Sequence, residues 1–222
     1  MNNDLTDITI LLDDSGSMSG LTDDTIGSLN KYLDDNRILP GQCRVTLVTF
    51  STGKAYVWTG LPIASVPRIT RELYKADGSS TQLIDSMVDL IDETGRRLDA
   101  LPESDKPGKV IFVTLTDGIE NASRRFSKSQ LKERVTHQNS KYKWQFIYLG
   151  ANQDAIAEAE NYGISKGKAM TYAATSGGMA ANFCATSNLT RSLRAASANE
   201  DLDAIAYTTA DRAANDAELA KT

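Results

Sequence analysis

The sequence predicts an α/β fold: a mainly parallel central sheet with one antiparallel edge strand and helices on both faces. Three observations carry this. Runs of β-branched, leucine and aromatic residues recur at 8–12, 44–50, 110–116 and 143–149 of the 222-residue chain, each the length of a buried strand. Segments of helical periodicity stand between most of them, as parallel strands covered on both faces require. One gap, Ser51-Thr52-Gly53, is too short for a crossover and suits a hairpin, so the strands it joins are antiparallel at an edge.

In chain order, residues 8–12 (Ile-Thr-Ile-Leu-Leu) form the first strand, ended by small polar residues. Residues 25–35 read as a helix with Ile26, Leu29 and Leu33 on one face. Residues 44–50 and 54–58 are the hairpin strands, and Pro62 and Pro67 break the next stretch into loop. A long helix spans 81–98, with Leu83, Ile84, Met87, Leu90, Ile91 and Leu98 near helical spacing; Pro102 and Pro107-Gly108 end it and open a loop. Residues 110–116 are the fourth strand. Ser127 reads as an N-cap for a helix over 128–139. Residues 143–149 are the fifth strand, 150–154 a turn, and 155–161 a short helix that Gly163 stops. Residues 168–172 read as a last edge strand, and 176–196 as a final helix. Residues 197–222 carry six acids, two bases and few large apolar residues. They are expected to be a loosely helical or disordered acidic tail, or a segment that folds on a partner; Leu202, Ile205 and Leu219 are its only apolar anchors.

The candidate chemistry sits where strands end, as ligand sites do in sheets of this kind. Directly behind the first strand stands Asp13-Asp14-Ser15-Gly16-Ser17, so Asp13, Ser15 and Ser17 fall at alternate positions of a tight turn. One carboxylate and two hydroxyls can converge there on one point. Such hard oxygen donors suit Mg²⁺ or Mn²⁺ and suit Zn²⁺ or Cu²⁺ poorly. Asp77-Gly78-Ser79-Ser80-Thr81 precedes the long helix, and the fourth strand ends in Thr116-Asp117-Gly118. Asp13, Ser15, Ser17, Thr81 and Asp117 together match the pattern of a metal-ion-dependent adhesion site. Over residues 6–165 the chain resembles a von Willebrand factor type A (vWA) domain of the stand-alone bacterial or phage type. The tail residues 197–222 would then follow a vWA-like domain of residues 1–196. That resemblance implies a Rossmann-like fold. It implies Ser15, Ser17 and Thr81 as direct metal ligands, with Asp13 and Asp117 acting partly through water. It implies Mg²⁺ as the metal, with Mn²⁺ and Ca²⁺ left open, and an Asp or Glu of a partner protein as the outside ligand. A MoxR-type AAA+ ATPase is a candidate partner on the same ground. Glu120 and Asn121 either line the rim of this site or cap its loop; Asp14 is expected to face solvent.

The rest of the composition bounds the function. A net charge of −5 offers no bulk attraction for nucleic acid or anionic membranes. The acidic start, Met1-Asn2-Asn3-Asp4, is unlike a signal peptide, no apolar run approaches a membrane span, and the sole cysteines, Cys43 and Cys184, make no metal spacing or disulfide framework. A cytoplasmic protein with two buried or half-buried thiols is expected. His137, the only histidine, reads as a solvated helix residue, and no nucleophile–base pair or phosphate loop is visible. The expectation is a binding module and not an enzyme. A virion or surface assembly component is the alternative, and a Mg²⁺-dependent hydrolase a weaker one.

Overall fold

A computed structural model describes residues 1–151 and 154–222; Asn152 and Gln153, part of the expected turn after the fifth strand, lie outside the described residues. The strands are β1 (Asn2–Asp13), β2 (Gln42–Phe50), β3 (Lys54–Pro62), β4 (Pro107–Thr116), β5 (Gln145–Ala151) and β6 (Ala169–Tyr172). They form one six-stranded sheet in the order β3-β2-β1-β4-β5-β6. Only β3 runs antiparallel to its neighbour; the other pairings are parallel.

The helices are α1 (Thr22–Arg37), α2 (Leu83–Asp99), α3 (Lys128–Tyr142), α4 (Ala155–Asn161), α5 (Ser176–Ala195) and α6 (Thr209–Leu219). Alternation along each strand sorts the side chains onto two faces. Ile8, Ile10 and Leu12 of β1 pack with Leu29 and Tyr32 of α1 and Met179 and Phe183 of α5. Leu11, on the other face, packs with Met87 and Ile91 of α2, Leu131 of α3 and Ala159 of α4. Helices therefore cover both faces. No helix among the described residues is long and apolar enough to cross a membrane.

The structure departs from expectation at several places. β1 begins at Asn2, because its polar start pairs with the beginning of β4. Pro107 opens β4 and does not sit in a loop: as a strand's first residue it withholds no essential ladder donor. Residues 197–222, expected to be loose, pack through Tyr207, Asp211 and Asn215, all buried. Polar contacts hold them. Tyr207 Oη lies 3.0 Å from Thr186 Oγ1, Asn188 donates to Asp211 at 2.9 Å, and Asn215 donates to the Thr171 carbonyl at 2.8 Å. Cys43 is buried, which pushes its thiol up to about 12; Cys184, expected to be at least half-buried, is exposed on α5.

Candidate metal site

The neighbouring carboxyl ends of β1 and β4 open the site. Leu12 pairs with Leu115 across the two strands, which sets Asp13 beside Thr116. Thr116 Oγ1 donates to Asp13 Oδ2 at 2.5 Å, and the Ser15 amide donates to Asp13 Oδ1 at 2.8 Å. The chain then enters a 3-10 turn (Gly16–Leu21) that leads into α1, with Ser17 at its outer side. Ser15 Oγ and Ser17 Oγ lie 3.1 Å apart, and Ser17 Oγ donates to Asp117 Oδ1 at 2.6 Å.

Thr81 arrives on a second loop that is stitched to the first. The Gly16 amide donates to the Gly78 carbonyl at 2.7 Å, and the Gly78 amide to the Asp14 carbonyl at 3.0 Å. A Cβ on Gly78 would collide with the Ser51 side chain, so this close approach requires glycine. Thr81 borders the third loop: a Cβ on Gly118 would lie 2.9 Å from Thr81 Oγ1. Asp13, at the end of β1, and Ser15, Ser17, Thr81 and Asp117, on three loops, are thus gathered at the carboxyl end of the sheet.

Asp13 is fully buried. Burial pushes its carboxyl up to about 6; hydrogen bonds from Ser15 and Thr116 oppose this, and the charge of Asp117 adds to it. Burial likewise raises Asp117, against the hydrogen bond from Ser17. Two carboxyls that both resist ionisation are relieved by a proton or by a nearby cation. Among the described residues no group of three or more His, Cys, Asp and Glu is arranged to hold a metal. The set here has two carboxylates and three hydroxyls, a donor chemistry that fits a hard divalent cation.

Several participants carried no sequence signal of their own. Tyr74 donates its hydroxyl to the Asp13 carbonyl at 2.7 Å, and burial with the charges of Asp13, Asp14 and Asp117 raises its phenol. Thr116 was legible only as part of Thr-Asp-Gly. Asp14, expected to face solvent, is half-buried with its Oδ1 enclosed; burial raises its carboxyl, against the hydroxyls of Ser51 and Thr49. Glu120 and Asn121 cap the loop: Asn121 Oδ1 accepts from the Thr81 amide at 3.0 Å, and Glu120 accepts from the Ile84, Ala122 and Ser123 amides. His137 is exposed on α3, edge-on to Tyr142.

No family model and no curated protein matches the chain. Solved structures do. The chain is similar to proximal thread matrix protein 1 of the mussel byssus with a zinc-occupied MIDAS motif, at 15% identity and a TM-score of 0.58, over 82% of this chain and 47% of that one. It is similar to a von Willebrand factor type A protein from Catenulispora acidiphila, at 17% identity and a TM-score of 0.57, over 86% and 43% of the two chains. It is also similar to the ArnB paralog VWA2 of Sulfolobus acidocaldarius, at 17% identity and a TM-score of 0.51, over 78% and 41%. The chain spans less than half the length of each. Its fold is the von Willebrand factor type A fold: a Rossmann-like α/β sheet with one antiparallel edge strand and its candidate site at the carboxyl ends of the strands.

Proposed function

We propose that this chain is a divalent-metal-dependent protein-binding module that captures an acidic side chain of a partner protein. The observation that carries the reading is the meeting of Asp13, Ser15, Ser17, Thr81 and Asp117 at the ends of β1 and β4. Those residues would hold the ion, with Mg²⁺ favoured by the all-oxygen set and Mn²⁺ or Ca²⁺ as alternatives. Bound there, the ion supplies positive charge for an outside Asp or Glu. The mussel protein with its zinc-occupied MIDAS motif supports a divalent ion in this fold.

The test is calorimetric titration of Mg²⁺, Mn²⁺ and Ca²⁺ into chelator-stripped wild type and Asp13→Ala. Saturable binding in wild type, lost in the variant, is expected; wild type that binds none of the three overturns the reading. The proposal places no catalytic step at the site, so a hydrolase screen with Mg²⁺ and Mn²⁺ is expected to give no turnover. A narrower form makes the chain a cytoplasmic adaptor to a MoxR-type AAA+ ATPase. It predicts that an ATPase copurifies with the tagged chain and is released by EDTA.

A further inference from the structure

The N-terminus of α2 lacks a side-chain cap of its own: the side chain of Gln82, at the capping position, makes no capping hydrogen bond. Helix starts leave unpaired amides that need partners, and here the partners come from the Asp117 loop. Glu120 Oε2 accepts from the Ile84 amide at 2.8 Å, and the Asp85 amide donates to Ser123 Oγ at 3.0 Å. The same Glu120 gathers its own loop, accepting from the Ala122 amide at 2.8 Å, the Ser123 amide at 2.7 Å and the Ser123 hydroxyl at 2.7 Å.

The exchange runs the other way as well. Asp85, in the first turn of α2 and buried, accepts from the Arg124 amide at 3.0 Å, the Arg125 amide at 3.1 Å and the Phe126 amide at 2.9 Å. These bonds outweigh its burial and hold its carboxyl below the usual value. Between the two carboxylates, Thr81 and Asn121 pair backbone to backbone and backbone to side chain. Each segment therefore caps the other, and negative charge at the helix start adds to the fit. Thr81 stands two residues before α2, and Asp117 three residues before Glu120.

We propose that Glu120 and Asp85 form a reciprocal clasp that locks the Thr81 loop and the Asp117 loop into one unit, making both of them positioning residues for the metal site. The part of this that concerns metal rests on the function proposed above; the coupling of the two loops does not. Charge-assisted bonds to backbone amides are among the stronger ones a fold can use. Six amides, from two separate segments, depend on these two side chains.

The test is Glu120→Gln in the full chain. The substitution keeps the shape but turns an amide NH₂ toward groups that are themselves donors. Hydrogen exchange on the metal-free protein is the first measurement. Loss of protection at both the Thr81 and Asn121 amides, with β1 and α5 unchanged, is expected; faster exchange confined to 118–126 overturns the clasp. Mn²⁺ titration is the second. Affinity about 10- to 100-fold weaker than wild type is expected, the usual cost of losing a group that orients a ligand. Affinity within twofold of wild type overturns the positioning role, since a merely structural change would lower melting without moving affinity. Ser123→Ala, a milder break in the same clasp, is expected to shift both measurements the same way by less and serves if Glu120→Gln fails to fold. Should wild type bind no Mn²⁺, the metal-binding reading and the positioning role both fail, and the exchange pattern alone decides whether the clasp exists.

Discussion

Gly118 is the residue at which the site's tolerance can be read most directly. An added methyl would lie 2.9 Å from Thr81 Oγ1, inside normal contact, and the atom it meets is the tip of a side chain and not backbone. The protein can relieve that contact by turning Thr81 about χ1, which moves its hydroxyl away from Gly118 and out of its present position at the candidate site. Gly118→Ala is therefore expected to cost less than about 1 kcal/mol of stability. It should nonetheless weaken Mg²⁺ or Mn²⁺ binding several-fold; thermal melting and metal titration of the same sample check the two halves. Gly78→Ala differs, because its methyl would meet the Cβ as well as the hydroxyl of Ser51, and the segments carrying Ser51 and Gly78 must part. Asp13, Ser15, Ser17, Thr81 and Asp117 were legible as candidates because together they match the pattern of a metal-ion-dependent adhesion site, and the structure brings their loops together. Tyr74 was not, because its role is a single hydrogen bond to a backbone carbonyl, which any of several residue types could make from another direction.

At the scale of elements, the strands were legible where both faces are apolar, as in β4 and β5, and blurred where hydrogen bonding alone extends them, as at Asn2 of β1 and Pro107 of β4. The packing of segment 197–222 was hidden for a related reason. Hydrophobic periodicity reports apolar anchors, and here Leu202 and Ile205 are only partly buried while Tyr207, Asp211 and Asn215 do the anchoring through polar groups. Asp211 also closes a capping box with Thr208 at the start of α6. Burial works against its charge, but hydrogen bonds from Asn188 and Thr208 outweigh it and hold the carboxyl below its ordinary value. A carboxyl that is a stronger acid when folded stabilises α6 above the unfolded value of about 3.9 and gives that up as pH falls through the folded value. Acidification below about pH 4 should release α6 before the sheet melts. Amide NMR shifts of residues 209–219 moving to random-coil positions while those of β4 stay in place would show this. Asn188→Ala is expected to move the release to higher pH; an α6 that persists to global acid unfolding refutes the account.

Across the whole molecule, β1 places two buried carboxylates, one mid-strand and one at its carboxyl end, under opposite terms. Asp7 and Asp13 are six residues apart, about 20 Å along a strand. Asp7 is buried and fully answered by Arg97, whose two terminal nitrogens donate to its two oxygens at 2.9 and 2.8 Å. Asp13 is equally buried but faces hydroxyls, an amide and the second carboxylate Asp117, with no cation among its hydrogen-bond partners in the described residues. The mid-strand carboxylate is therefore finished by the fold itself, while on the proposed reading Asp13 is finished by a cation from outside. Removing the partner of a buried charge costs about 3–5 kcal/mol, because the stranded ion has no water. Arg97→Met should accordingly lower the melting temperature by roughly 10 °C in a chain of this size and leave metal affinity unchanged. Asp13→Asn should do the reverse, because it deletes a carboxylate that burial already disfavours. The metal-free protein should melt at the same or a higher temperature, and the rise in melting temperature on adding Mg²⁺ should vanish. Stability surrendered at a binding end and recovered elsewhere is the usual arrangement of functional sites. Melting curves of wild type and both variants, each with EDTA and with excess Mg²⁺, separate the two carboxylates. If Asp13→Asn destabilises the metal-free protein as much as Arg97→Met does, the carboxyl end of the sheet is a structural network in its own right and the demand for an outside cation is absent.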